Sequence, residues 1–153
     1  MIARVHRLGS EDERLFRGMN ELFADVFEDR ETYLSASPGP RYVAELLADS
    51  SFVALVALSD DRIVGALTAY RLRKPEQERS ELYIYDLGVV ASARRQGVAT
   101  ALIDWLRGHA AEIGAWVVYV QADPPDTPAV ALYSKLGVRE DVLHFDIPPL
   151  LTR

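Results

Sequence analysis

Apolar and polar positions alternate from Ile2 to Leu8, which predicts a short strand. Ser10 followed three positions later by Glu13 has the spacing of a capping box. Leu15, Met19, Leu22, Phe23, Val26 and Phe27 then recur at helical intervals, predicting a helix over 11–28. Pro38-Gly39-Pro40 interrupts the chain, and a second helix is expected over 41–48. Ser51 to Leu58 and Ile63 to Arg71 are expected as strands joined by a turn at Ser59-Asp60-Asp61-Arg62. The charged stretch from Lys74 to Arg79 is a loop. Glu81 to Val90 is a long, tyrosine-rich apolar strand that should be central in its sheet. Ala99, Ala101, Leu102, Trp105, Leu106 and His109 share a helix face that ends near Gly114, and Ala115 to Gln121 is again an apolar strand. Asp123-Pro124-Pro125-Asp126 forms a rigid connection, and Thr127 is expected to cap a short helix ended by Gly137. Val142 to Ile147 is expected to close the chain as a strand before Pro148-Pro149. The order β-α-α-β-β-β-α-β-α-β, with no repeat and no long linker, predicts one α/β domain over residues 1–153.

Composition narrows the chemistry. A chain of 153 residues buries about 70% of its unfolded surface, enough for a core without covalent staples. It has no cysteine, which excludes a thiol nucleophile and any thiolate-bound metal. His6, His109 and His144 fall in separate elements without metal-ligand spacing, so no metal is expected. The net charge of −6 argues against nucleic-acid binding, which depends on a basic surface. Residues 10–31 hold eight acids against three arginines, either a solvated helix face or a surface that attracts a cation. The N-terminus turns polar at once, and nowhere do 18 apolar residues run together, so a cytoplasmic protein without membrane contact is expected.

One local pattern stands apart. Arg94-Arg95-Gln96-Gly97-Val98-Ala99 lies where the tyrosine-rich strand feeds the next helix. A strand-to-helix turn presents free backbone N–H groups at the positive end of a helix dipole, which suits phosphate. Gly97 lets the backbone approach a ligand, and two arginines add positive charge in an acidic protein. A P-loop is excluded by the missing lysine-serine/threonine ending, and a dinucleotide turn by the missing glycines. Arginine-x-x-glycine-x-alanine after a strand resembles the pyrophosphate loop of the GNAT N-acetyltransferases, and Ala129 to Val138 resembles a second element of that superfamily. Val138 departs from it, where phenylalanine is usual. The stretches 64–70, 80–87, 119–123 and 144–147 further resemble the class I aminoglycoside 3-N-acetyltransferases, the gentamicin-modifying enzymes.

That resemblance implies a GNAT fold, a mixed central sheet flanked by helices, that binds acetyl-CoA and acetylates the 3-amino group of an aminoglycoside by direct transfer. It implies that Leu87, Gly88, Val89 and Val90 form a bulged strand end pairing with the pantetheine arm. It also implies that Arg94, Arg95, Gln96, Gly97, Val98, Ala99 and Thr100 hold the pyrophosphate. Asp86 matches a position implicated in binding and deprotonating the amine; otherwise it is a carboxylate bonded to a nearby loop or to Arg79. Tyr133 matches the tyrosine beside the CoA sulfur, a proton donor to the leaving thiolate; otherwise it is a packed tyrosine with a wet hydroxyl. Asp123 and Asp146, with Asp126, Glu81, Glu28 and Asp29 as further candidates, are acids suited to a polycationic acceptor. A homodimer is a family expectation. The rival functions are a GNAT acting on a polyamine or peptide amine, and an acetyl-CoA sensor without turnover.

Overall fold

Seven of the eight side chains of strand β2 (Phe52–Ser59) are buried, so this strand shows no apolar alternation. Both of its faces are covered, as in a sheet with helices on either side. The computed structural model describes residues 3–151 and falls into two compact units, Met1–Gln121 and Ala122–Arg153.

In the first unit a five-stranded sheet runs in the order β1-β2-β3-β4-β5, with β1 at Arg4–Arg7, β3 at Arg62–Arg73, β4 at Ser80–Val89 and β5 at Ala115–Val120. The first four strands are antiparallel, and β5 pairs parallel to β4 after a crossover through helix α4 (Val98–Ile113). Strand β3, not β4, is the middle strand, a correction to the expected centre. The β2–β3 turn is a tight two-residue hairpin closed by the Ser59–Arg62 pair. Asp60 and Asp61 both take left-handed backbone, with φ of 48° and 63°.

Helix α1 (Glu13–Val26) and helix α3 (Pro40–Ala48) cover one face of the sheet. Phe16, Met19, Leu22, Phe23, Val43 and Leu47 form a core there with Phe52, Ala54, Val56 and Leu58 of β2. The capping box at Ser10 does not form, since Asp12 is the N-cap of α1 and Ser10 bonds to its neighbour Glu11. Asp12 instead accepts a hydrogen bond from the Gly9 N–H at 2.8 Å and lies 3.0 Å from His6 Nε2. A short helix α2 (Arg30–Leu34), not anticipated, begins where the Asp29 side chain accepts the Thr32 N–H.

Helix α4 covers the opposite face. A Cβ added at Gly65 of β3 would lie 2.7 Å from Val98 Cγ1 and 3.3 Å from Leu102 Cδ1. Glycine is therefore needed for the first turn of α4 to sit close to the sheet. Replacing Gly65 by alanine should destabilise the protein by about 1–3 kcal/mol, the usual cost of overpacking. Urea denaturation checks this, and a change below about 0.5 kcal/mol would show that Val98 yields freely.

The second unit contains helix α5 (Thr127–Leu136). Its N-cap is Asp126, whose carboxylate accepts the Ala129 N–H at 3.3 Å, and not Thr127 as the sequence suggested. The strand expected over 142–147 does not form, and no described residue after Gly137 belongs to a helix or strand. The second unit offers no strand of its own for this segment to pair with. Val142, Leu143, Phe145 and Ile147 are all exposed.

Candidate active site

Strand β4 carries one residue too many for its partner. Thr68 of β3 stands opposite Asp86 while Ala69 stands opposite Ile84, so Tyr85 is left unpaired in a bulge. The Asp86 N–H consequently donates to the Thr68 side-chain oxygen at 3.2 Å, which accounts for a polar side chain that is otherwise buried. The expected bulge over 87–90 is thus found at Tyr85, and Leu87, Gly88 and Val89 remain in register with β3.

Half-buried Asp86 accepts a hydrogen bond from the Tyr33 hydroxyl at 2.8 Å on Oδ1. Tyr33 lies on α2, with its ring 5.7 Å from Phe23 and 5.8 Å from Phe27, which fixes the approach of the phenol. Burial raises the Asp86 carboxyl above its ordinary value, and the Tyr33 hydrogen bond offsets part of that rise. Burial and the adjacent Asp86 charge push the Tyr33 phenol well up, so it stays protonated and donates. Asp86 has this phenol as its partner, whereas Arg79 lies over the Trp116 ring at 4.4 Å. Tyr33 was missed in the sequence because the five-residue helix that carries it leaves no periodic signal.

Beyond Asp86 the strand is paired on one side only. Pairing of β4 with β5 stops at Ile84–Val120, while pairing with β3 continues to Val89. Leu87, Gly88 and Val89 therefore lie past the end of the β5 ladder, and Val90 donates its N–H back to Val64. Gly88 packs closely, since an added Cβ would meet Leu22, Val26 and Phe23 at 3.4–3.5 Å.

The chain then passes through a 3-10 turn at Ala91–Ala93 into Arg94. Arg95 has φ of 60°, a strained conformation for a side-chain-bearing residue, and Gly97 has φ of 80°. Gly97 is the N-cap of α4 and supplies no side chain, so none caps the first-turn N–H groups of Val98, Ala99 and Thr100. An added Cβ at Gly97 would meet nothing within 4 Å. Exposed Arg94 and Arg95 supply cations, and Gln96 donates to the Ser92 carbonyl across the turn at 3.0 Å. This donor set fits a phosphate diester.

The remaining candidates are divided between the two units. In the second unit Tyr133 lies on α5, where burial and the Asp126 charge push its phenol up to about 12. Asp126 is occupied as the helix cap, Asp123 is exposed, and Asp146 lies 2.8 Å from His144. In the first unit Glu81 accepts the Trp116 indole N–H at 3.1 Å and lies 3.8 Å from Lys74. The acids of 10–31 are largely committed locally: Glu13 to Arg17, Asp25 to Arg30, Asp12 to Gly9 and Asp29 to Thr32. No group of three or more potential metal-binding side chains occurs among the described residues, and no helix there is long and apolar enough to cross a membrane.

A family model described as "Acetyltransferase (GNAT) family" matches residues 16–138. The chain is 51% identical to a solved aminoglycoside acetyltransferase, HMB0005, from an uncultured soil metagenomic sample, over 98% of this chain and 100% of that one, with a TM-score of 0.96. A second such enzyme, meta-AAC0020, also from an uncultured soil metagenomic sample, was solved in complex with sisomicin. It is 32% identical over 97% of both chains, with a TM-score of 0.89. N-acetyltransferase 8B of Rattus norvegicus is 26% identical over 79% of this chain, which spans 59% of that relative's length.

Proposed function

Because the chain belongs to the acetyltransferase (GNAT) family, we propose that it transfers the acetyl group of acetyl-CoA to an aminoglycoside amine, the 3-amino group, with gentamicin among its acceptors. The observation that carries this reading is Asp86, a half-buried carboxylate of raised pKa in a strand that runs past its β5 ladder into a turn suited to phosphate. Its support from relatives is that two solved enzymes similar over nearly the whole chain are aminoglycoside acetyltransferases, one of them in complex with sisomicin.

Each part has a role in this chemistry. The turn from Arg94 to Thr100 holds the pyrophosphate, and the backbone from Leu87 to Val89, past the β5 ladder, pairs with the pantetheine amides as an added strand would, while Val90, with its N–H on Val64 and its carbonyl on Ala93, ends that edge. Asp86 binds the acceptor ammonium and takes its proton, directly or through water, leaving the nitrogen lone pair to attack the thioester carbonyl. As the C–S bond breaks, Tyr133 gives its phenolic proton to the departing thiolate. With no cysteine in the chain, the acetyl group passes directly to the amine without a thiol-bound stage. Asp123, Asp146 and Glu81 are proposed as outer contacts for a polycation, secondary to Asp86. The exposed apolar side chains at Val142, Leu143, Phe145 and Ile147 support a homodimer that covers them. A cytoplasmic location supplies acetyl-CoA, and antibiotic resistance is the proposed role of the reaction.

Release of free CoA thiol with gentamicin, spermidine and a lysine peptide as acceptors tests the assignment. Turnover is expected with gentamicin and lost with an aminoglycoside lacking a free 3-amino group. Turnover only with spermidine or peptide would reassign the acceptor, and none with any amine would make the protein an acetyl-CoA sensor.

A further inference from the structure

The bulge at Tyr85 does more than turn a carboxylate. Consecutive residues of a strand normally point to opposite faces of the sheet. Here Asp86 bonds to Tyr33 on the face covered by α1–α3, and Tyr85 contacts Tyr70, whose cross-strand partners Phe52 and Tyr83 share that face. The unpaired residue thus leaves an aromatic ring and a carboxylate adjacent in sequence and on one side of the sheet.

Tyr85 is 63% exposed, yet its ring contacts two others that pair across the strands. Tyr70 meets it edge-on at 5.9 Å and Tyr83 at 5.7 Å. Tyr83 is in turn stacked on Tyr119 at 4.7 Å with the rings within 5° of parallel. The Tyr83 hydroxyl is anchored to Gln121 at 2.9 Å. The result is a fixed aromatic floor running from β3 across β4 to β5. Burial raises the pKa of both Tyr70 and Tyr83, and the Asp86 charge adds to the rise, for Tyr83 after that of Tyr85.

We propose that this tyrosine floor is the ring-binding subsite of the acceptor, with Tyr85 stacking against the cyclic aminosugar or aminocyclitol that presents its amine to Asp86. The proposal rests on the aminoglycoside reading above and adds what selects a rigid amino ring over a linear polyamine. Such a ring has an apolar C–H face and a cationic rim. The negative π-face of tyrosine attracts both, and an adjacent carboxylate completes the match in charge. A flexible linear amine presents no flat face to the floor and loses more entropy on binding it.

Three variants at one position test this: Tyr85→Ala, Tyr85→Leu and Tyr85→Phe, assayed for KM and kcat with gentamicin and for KM with acetyl-CoA. Alanine and leucine should each raise the gentamicin KM about 10-fold, with kcat changed less and acetyl-CoA KM unchanged, while phenylalanine restores most of the lost affinity. Leucine matching phenylalanine would overturn the proposal in favour of plain apolar cover, as at an interface with a second copy. An unchanged KM in both alanine and leucine variants would overturn it outright, as would parallel loss of gentamicin and acetyl-CoA binding, which marks a packing role. Failure of the wild-type protein to acetylate any aminoglycoside sinks the underlying function first. Wild-type turnover with variants of normal KM sinks the subsite alone.

Discussion

Replacing Asp86 by asparagine should lower kcat/KM for the preferred aminoglycoside by roughly 10²–10⁴-fold, the range expected on losing a general base. Asparagine is close in shape, and its Oδ1 can still accept the Tyr33 hydrogen bond seen at 2.8 Å, so the surrounding structure is retained. What disappears is the charge that holds an ammonium and the lone pair that takes its proton. In the wild type, burial raises the Asp86 carboxyl above its ordinary value of 3.8, so the acid limb of the kcat/KM profile should lie above that value and vanish in the variant. The stability effect has the opposite sign. A carboxyl whose folded-state pKa is raised opposes folding once it ionises, and this penalty grows as pH rises from 3.8 through the raised value. The asparagine variant should therefore be no less stable than wild type at pH 7, and any relative gain should fade below the carboxylate range. Thermal unfolding at pH 7 beside steady-state kinetics checks both halves. Near-normal turnover would remove Asp86 from the base role, and loss of activity accompanied by a collapsed melting temperature would make it structural.

Tyr133→Phe should lower kcat by about 10²-fold or more while leaving acetyl-CoA affinity within a few-fold of wild type. The substitution deletes one oxygen and preserves the ring. Since the phenol is pushed up to about 12, it remains protonated across the working range and contributes no alkaline limb below that value. Product-release or burst kinetics separate the chemical step from binding. An unchanged kcat would leave Tyr133 as a packing residue of α5.

Much of the fold was legible because periodicity reports on buried faces. β2, β3, β4, α4 and α5 all lie within two residues of their expected ends. The turn at Asp60-Asp61 was recognisable from composition, since aspartate tolerates the left-handed backbone found there. Capping was read less well. Ser10 and Thr127 have the right chemistry, but neighbouring aspartates at 12 and 126 took the N-cap positions. The closing strand over 142–147 has the alternation of a strand, yet alternation records side-chain preference and not the presence of a hydrogen-bonded neighbour.

The candidate site was legible where it depends on local sequence. Gly97 at the start of α4 and the cations before it are properties of a few adjacent residues. Asp86 stood out as a charged residue within an apolar strand. Its partner Tyr33 lies 53 residues away, on a helix of one turn, and nothing in its own neighbourhood marks it. The tyrosine floor was visible only as composition, because Tyr83 and Tyr85 alternate normally and the bulge beside them depends on a register with β3 that a single strand does not reveal.

That register carries a genetic consequence. Tyr85 and Asp86 both face α1–α3 because β4 contains one more residue than β3 across the interval from Thr68 to Ala69. Losing the single codon for Tyr85 would restore simple alternation with Asp86 still opposite Thr68, and would strip from the acceptor face the ring that stands beside the carboxylate. Point substitutions can adjust the acceptor face residue by residue, but they cannot make or unmake it. In-frame insertion and deletion within β4 is the step that does so, which makes the number of residues in this strand, as much as its composition, the heritable part of the site.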